Sequence, residues 1–126
     1  MLRILKRMID NVFEYFSGNR SLISGTICSF LIKGEDGLVS IEVVVQLMYA
    51  KTDKRIKLIF ADVLEYSFYH RREHDFYNIV DLKFFKQSAG YYVSFDPDYS
   101  TSQASANDND FISAASLEAF VVELMF

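Results

Sequence analysis

The sequence lacks several features that would assign it to a specialised class of protein. It has one cysteine, Cys28, in 126 residues. An intramolecular disulfide is therefore impossible, and a reducing compartment is expected. No stretch approaches the roughly 18 uncharged apolar residues of a membrane span, since even residues 40–50 contain Glu42 and Gln46. We therefore expect no membrane span.

The chain also lacks an export signal and a concentration of positive charge. Lys6, Arg7 and Asp10 interrupt the apolar run that a signal peptide needs, so we expect a cytoplasmic protein. The net charge is −4, and the lysines and arginines stand in short, scattered groups. This distribution disfavours binding to nucleic acid, whereas an acidic surface suits a basic partner protein.

Apolar and aromatic side chains are abundant. Hydrophobic residues make up 51% of the chain, which contains 12 Phe and 8 Tyr. At this length one domain buries about two-thirds of the surface of its unfolded chain. We therefore predict a single domain over residues 1–126, whose core needs neither a metal nor a cofactor.

Residues 2–16 show a helical pattern. Apolar residues recur there at three- and four-residue spacing and would share one stripe of a helix. They are Leu2, Leu5, Ile9, Val12, Phe13 and Phe16. Gly18 and Asn19 would end this helix. The aromatic run at residues 13–16 is also compatible with a strand.

From Leu22 onward the period changes to two, which is typical of antiparallel strands. Strands are predicted at residues 22–32, 41–49, 56–68, 76–85 and 91–96, and from about Leu117, with a short helical turn before it as an alternative. Residues 76–85 and 91–96 would form a hairpin. Asp62 interrupts an apolar face, so a bulge or bend is predicted there. The expected fold is α+β, a predominantly antiparallel β-sheet of about five or six strands with an N-terminal helix.

His70, Glu73 and His74 match the pattern H-x-x-E-H. In that pattern two histidines one helical turn apart bind zinc, and the glutamate activates water. The histidines share a face only on a helix, yet here they lie between two predicted strands. A solvated loop is the favoured interpretation, and a small metal-dependent enzyme using these three residues is the alternative.

Residues 96–110 are predicted to form a long polar surface loop. Alternate residues from Asp96 to Ser102 have the spacing of the first half of a calcium loop, but Thr101 stands where the sharp turn needs glycine. Turns with local hydrogen bonds from side chain to backbone are the favoured interpretation. Cys28 lies in an apolar strand and is predicted to be a buried, inert thiol.

Aromatic residues are dense on the predicted strands and at their ends. Neighbours such as Phe68 and Tyr69, or Tyr91 and Tyr92, point to opposite faces of a strand. If a helix covers one face of the sheet, the outward tyrosines form an open surface suited to a partner. If the fold is a sandwich, both faces are buried. The sequence favours neither alternative.

Four segments resemble small bacterial immunity proteins, the partners of secreted polymorphic toxins. They are an Arg-Ser-Leu-Ile-x-Gly turn at residues 20–25, Phe-x-Asp-Val-x-Glu-Tyr at 60–66, Lys-Phe-Phe at 83–85, and Phe-Asp-Pro at 95–97, close to the acidic loop. The resemblance covers roughly residues 20–122. It consists of strands and turns and includes no chemical motif.

The resemblance implies a non-catalytic antitoxin that binds its cognate toxin and blocks the active site or the substrate surface. Interfaces in such families vary with each toxin, so no site is carried over. On physical grounds we expect aromatic anchors, and acidic residues that speed the encounter with a basic toxin. The candidates are Tyr69, Tyr77, Tyr92, Asp96, Asp98, Asp108 and Asp110. A small-ligand-binding β domain is a further alternative.

Overall fold

The computed structural model describes residues 3–75 and 77–125. Strands account for 54% of the chain. They are β1 (Arg3–Ile9), β2 (Thr26–Glu35), β3 (Leu38–Gln46), β4 (Arg55–Ser67), β5 (Lys83–Gln87), β6 (Gly90–Asp96) and β7 (Asn109–Met125). Helical structure in these ranges is limited to α1 (Val12–Tyr15) and a 3-10 turn at Gly18–Arg20. Neither has the length and apolar character of a membrane span, and the described residues contain no other helix.

All seven strands belong to one antiparallel sheet. Six of them follow the order β2-β3-β4-β7-β6-β5, and β1 also pairs with β7. Along one edge β7 pairs with two strands, first with β6 along its N-terminal part and then with β1 along its C-terminal part. Its other edge pairs with β4 from Phe111 to Val121. β7 therefore joins the two halves of the sheet.

The core lies on one face of this sheet. Alternate residues of β3 and β4 are fully buried, as a two-residue period predicts. They are Ile41, Val43, Val45, Ile56, Leu58 and Phe60. Segments outside the strands cover this face and add Leu22 and Ile79 to the same cluster. The opposite face carries Glu42, which pairs with Lys33 at 2.6 Å and Lys57 at 2.8 Å. The fold is a single sheet covered by loops, not a sandwich.

The predicted N-terminal helix is wrong, and so is the α+β class. Arg3–Ile9 form a strand that pairs with the end of β7. The strand ends before Asn11, whose φ is 28°, and α1 then makes one turn without a side-chain cap. Helix preferences differ among ordinary residues by at most about 0.7 kcal/mol each. Pairing with a distant strand overrides such differences.

The C-terminal segment is a strand, but it begins at Asn109 rather than near Leu117, and no helical turn precedes it in the described residues. Its alanines and serines favour a helix when considered alone. In the sheet, Ala114 and Ala119 are fully buried between β4 and the strands on the other edge. Pairing along both edges therefore overrides the local helix preference.

Two local predictions are confirmed, and one is wrong. β5 and β6 form the predicted hairpin, although β5 begins only at Lys83. The chain bends at Asp62, where φ is 49°, and the register between β4 and β7 shifts between Val63 and Glu65. Cys28 is exposed rather than buried. It sits at a register shift between β2 and β3, which interrupts the alternation that the prediction used.

We predict that Gly90→Ala strongly destabilises the fold. Gly90 has a φ of 145°, which L residues rarely adopt, and a Cβ there would overlap the backbone oxygen of Ala114. Strain and overlap together should lower the free energy of unfolding by about 3 kcal/mol, measured by urea denaturation. Gly34→Ala is the control, because a Cβ at Gly34 meets no atom within 4 Å. Equal losses in the two variants would contradict the prediction.

Candidate functional site

Two neighbouring concave regions lie where β4 and β6 end and β7 begins. One is apolar, and we call it the aromatic groove. It is lined by Phe30, Ile32, Tyr66, Phe68, Tyr69, His70 and Asp110. The other is polar, and we call it the polar pocket. Its lining includes His74, Asp75, Asn78, Asp81, Asp96, Tyr99 and Asp110. Asp110 belongs to both regions.

The aromatic groove lies close to the point where two parts of the sheet diverge. The pairing of β3 with β4 ends at Ile41 and Phe60. Beyond this point β2 and β3 continue together to their turn, while β4 continues along β7 to Ser67. The bend at Asp62 lies where the two arms separate. A cavity of about 330 Å³ lies beside this point, between Phe30 and Ile32 of β2 and the residues at and after the end of β4.

Aromatic rings from β2, from the end of β4 and from the residues that follow β4 line the groove. The ring centroids of Phe30 and Phe68 are 4.3 Å apart, and Tyr66 lies 5.9 Å from Phe68. Phe30 and Phe68 are partly buried and pack against the core. Ile32, Tyr66 and Tyr69 are exposed. The groove therefore has a floor fixed by the core and a rim of accessible apolar side chains.

Asp110 connects the groove to the polar pocket. One carboxylate oxygen accepts a hydrogen bond from the backbone N–H of Tyr69 at 3.1 Å, and the other lies 3.3 Å from His74 Nε2. Asp110 is only 4% exposed. Its φ is 47°, a left-handed conformation that aspartate tolerates better than most residues. Asp96 brings a second carboxylate into this pocket, whose volume is about 200 Å³.

A buried ion pair next to the pocket organises the loop between β6 and β7. Lys83 Nζ donates to Asp108 at 2.8 Å, and the Tyr92 hydroxyl donates to the other oxygen of Asp108 at 2.6 Å. The backbone N–H groups of Asp98 and Ser105 donate to the same carboxylate. Asp108 thus ties both ends of the loop to β5 and β6.

Opposing effects set the pKa values in this network. Burial by itself would raise the pKa of the Asp108 carboxyl. Hydrogen bonds from Lys83, Tyr92 and two backbone N–H groups outweigh burial and hold the pKa at about 2. Burial and the neighbouring Asp108 carboxylate raise the pKa of Tyr92. At neutral pH, Asp108 is therefore a charged acceptor and Tyr92 a neutral donor.

The predicted binding residues occupy different environments. The exposed or half-buried ones are Tyr69, Tyr77, Asp96 and Asp98. The buried ones, each bonded inside the protein, are Tyr92, Asp108 and Asp110. Burial keeps these three from direct contact with a large partner. A role of the seven residues in partner binding stays a prediction.

His70, Glu73 and His74 lie in a loop, not on a helix. His70 lines the aromatic groove, whereas His74 contacts Asp110 in the polar pocket. The three residues form no common group of ligand atoms among the residues that the structure describes. The H-x-x-E-H pattern therefore lacks the geometry that its zinc chemistry requires.

The loop between β6 and β7 contains the predicted local turns. The backbone N–H of Ser100 donates to Asp98 at 3.0 Å, and the Ser100 hydroxyl donates to the same carboxylate at 2.9 Å. Ser105 accepts a similar local hydrogen bond from the N–H of Asn107. These contacts match the interpretation as turns rather than as half of a calcium loop.

Sequence reasoning missed the groove residues Phe30 and Ile32 and the role of Lys83. The two-residue period places Phe30 and Ile32 on the core side of β2, but it does not show that β4 leaves β3 at Phe60. The available signal for Lys83 was a charge directly before the two aromatic residues Phe84 and Phe85. Its partner Asp108 follows 25 residues later in a polar loop.

No protein-family model, curated protein or solved structure matches this chain. Its function therefore has to be argued from the groove, the pocket and the chemistry of their side chains.

We predict that Asp108→Asn destabilises the protein and flattens its response to acid. The pKa of Asp108 is about 2 in the folded state, against an ordinary value of 3.8. Its contribution of about 2 kcal/mol is complete above pH 3.8 and is lost as the pH falls towards 2. Asp108→Asn should cost about 3 kcal/mol at pH 7, because Lys83 stays buried without its counter-ion.

Urea denaturation of wild type and variant between pH 7 and pH 2 measures both effects. Asp36→Asn is the control, since Asp36 is exposed in the turn between β2 and β3. If wild type and Asp108→Asn lose stability in parallel below pH 4, the ion pair is not the source of the acid sensitivity.

Proposed function

We propose that this chain is a non-catalytic binding domain that acts as an immunity protein: it binds a cognate bacterial toxin and blocks the toxin's active site or substrate surface. The observation that carries the proposal is the aromatic groove. It combines a cavity of about 330 Å³ with exposed rings at one end of a sheet. Exposed aromatic surface of this kind is enriched at the centres of protein interfaces.

The groove residues have the properties of interface anchors. Tyr66 and Tyr69 offer large apolar rings with hydroxyl groups, at a small cost in side-chain freedom. Phe30 and Phe68 pack against the core and against each other. A partner would therefore meet a preformed floor, and preformed surfaces reduce the entropic cost of binding.

Charge supports a basic partner. The chain carries a net charge of −4. Asp110 lies at the wall of the groove, and Asp75 and Asp96 line the adjoining pocket. An acidic surface accelerates the encounter with a basic protein through long-range attraction, and the effect weakens as salt is added.

The resemblance to toxin immunity proteins supports the same proposal. Several residues of its four segments serve the fold. Gly25 leaves no room for a Cβ beside the backbone oxygen of Leu22, and Lys83 forms the buried pair with Asp108. These segments would preserve the scaffold, while residues outside them, such as Tyr69, would set the choice of toxin.

A small molecule is the second candidate ligand. The groove volume of about 330 Å³ lies at the lower end of the range for small-ligand sites, roughly 300–1,000 Å³. Such a ligand would raise the melting temperature of the protein in the absence of any protein partner. A protein partner would instead be detected as a stable complex.

We predict that Tyr69→Ala weakens the complex with the toxin about tenfold or more, because removal of an aromatic anchor costs about 1–2 kcal/mol or more. The assay uses the product of the adjacent gene, with Kd measured by calorimetry and protection measured as growth on co-expression. Tyr49→Ala is the matched control, since Tyr49 is 60% exposed and Tyr69 is 59% exposed. Tyr49 lies in the connection between β3 and β4, outside the groove.

Two outcomes would contradict different parts of the proposal. If the wild-type chain neither binds the neighbouring gene product nor protects cells from it, the immunity function is wrong. If Tyr69→Ala and Tyr49→Ala weaken the complex equally, the aromatic groove is not the interface.

A further inference from the structure

Three side chains of metal-ligating type converge in the polar pocket from three separate parts of the chain. His74 belongs to the loop between β4 and β5, Asp96 is the last residue of β6, and Asp110 is the second residue of β7. One ligand atom of each lies within 4.8 Å of the other two. Across residues 3–75 and 77–125, no other group of histidine, cysteine and acidic side chains meets this condition.

Two carboxylates this close are an unfavourable pair unless a cation compensates them. Asp110 is buried, so water screens its charge poorly. In the described part of the chain, the Asp96 carboxylate accepts one long hydrogen bond, from Asn109 Nδ2 at 3.5 Å. The basic side chain in the cluster is His74. Both carboxylates therefore retain acceptor capacity for an ion.

The distance between His74 and Asp110 fits a shared metal ion better than a strong direct ion pair. Their Nε2 and Oδ2 atoms are 3.3 Å apart, whereas charge-assisted N–H···O bonds are about 2.7–2.9 Å long. Two ligands of a tetrahedral zinc ion, each about 2.1 Å from the metal, are separated by about 3.4 Å. An ion could thus take the place of this direct contact with little movement of either side chain.

Asp96 can join the same ion after a small shift. Two ligands of a tetrahedral zinc ion lie about 3.4 Å apart, and the Asp96 oxygen is within 4.8 Å of the other ligand atoms. The required movement is at most about 1.4 Å, which a rotation of the half-buried Asp96 side chain can supply.

We propose that His74, Asp96 and Asp110 bind one divalent transition-metal ion, with Zn²⁺ and Mn²⁺ as the fitting candidates. One imidazole nitrogen and two carboxylate oxygens suit these ions, whereas Ca²⁺ takes oxygen ligands. The Tyr69 N–H holds the second oxygen of Asp110 in place, as hydrogen-bonded partners of metal ligands do. The pocket of about 200 Å³ has room for water to complete the coordination.

The bound ion connects the loop after β4 to the end of β6 and the start of β7. It replaces a long histidine–aspartate contact with three bonds to one centre, and it holds the Asp110 carboxylate that supports Tyr69. The ion therefore stabilises the wall between the polar pocket and the aromatic groove. This site is independent of the proposed immunity function, because it stands on the geometry of its three ligands alone.

The test titrates metal-free protein with ZnCl₂ and MnCl₂ in separate experiments, measured by calorimetry and by thermal unfolding. We expect one ion per chain for at least one of the two metals, together with a rise in melting temperature. His74→Ala and Asp96→Asn should each weaken binding at least about tenfold. The metal-induced rise is measured against each variant's own metal-free melting temperature, so a change in basal stability does not obscure the result.

Two matched variants serve as controls. His70→Ala makes the same chemical change as His74→Ala in the same loop, and Asp36→Asn makes the same change as Asp96→Asn in the turn between β2 and β3, outside the polar pocket. Both should retain the affinity of wild type within about twofold. The proposal is overturned if neither metal binds with unit stoichiometry, if His74→Ala binds as tightly as wild type, or if the control variants lose affinity to the same extent.

Discussion

The fold depends on the pairing of β7 with three other strands. β7 pairs with β4 along one edge and with β6 and then β1 along the other. Ala114 and Ala119 lie in this central strand, and both are fully buried. Gly90 of β6 meets the backbone of Ala114 directly.

The start of β7 also brings the polar chemistry to one place. Asp108 and Asp110 are two residues apart, and both are buried, yet they serve different networks. Asp108 accepts hydrogen bonds from Lys83 and from the backbone of the loop between β6 and β7. Asp110 turns towards His74 and supports the backbone of Tyr69. Asp108, one residue before β7, therefore anchors the loop, and Asp110, two residues later, forms part of the groove wall.

The aromatic groove arises from geometry rather than from an unusual local sequence. The bend at Asp62 and the separation after Phe60 leave Tyr66 accessible and place Phe68 beside Phe30. The same bend that turns an acid away from the core thus opens the surface that we propose as the interface.

Most of the strand pattern from residue 22 onward could be predicted because residues two apart share a face, most clearly in β4, where buried and partly buried residues alternate from Arg55 to Ala61. The hairpin of β5 and β6, the bend at Asp62 and the local turns around Asp98 followed from signals a few residues long. The N-terminal helix was wrong for the same reason. Apolar spacing within residues 2–16 is a local signal, and pairing of Arg3–Ile9 with the far end of the chain outweighs it.

A domain built mainly of antiparallel strands, with a polar loop between its last two strands, could be predicted from local signals, because period-two patterning and turn residues act over a few positions. Which side chains meet depends on the folded sheet. Lys83 pairs with Asp108, which lies 25 residues later in the chain, and His74 contacts Asp110, which lies 36 residues later. Such contacts depend on strand order and register, which are set by the packing of the whole sheet. For that reason the aromatic groove and the polar pocket became visible only in the folded chain.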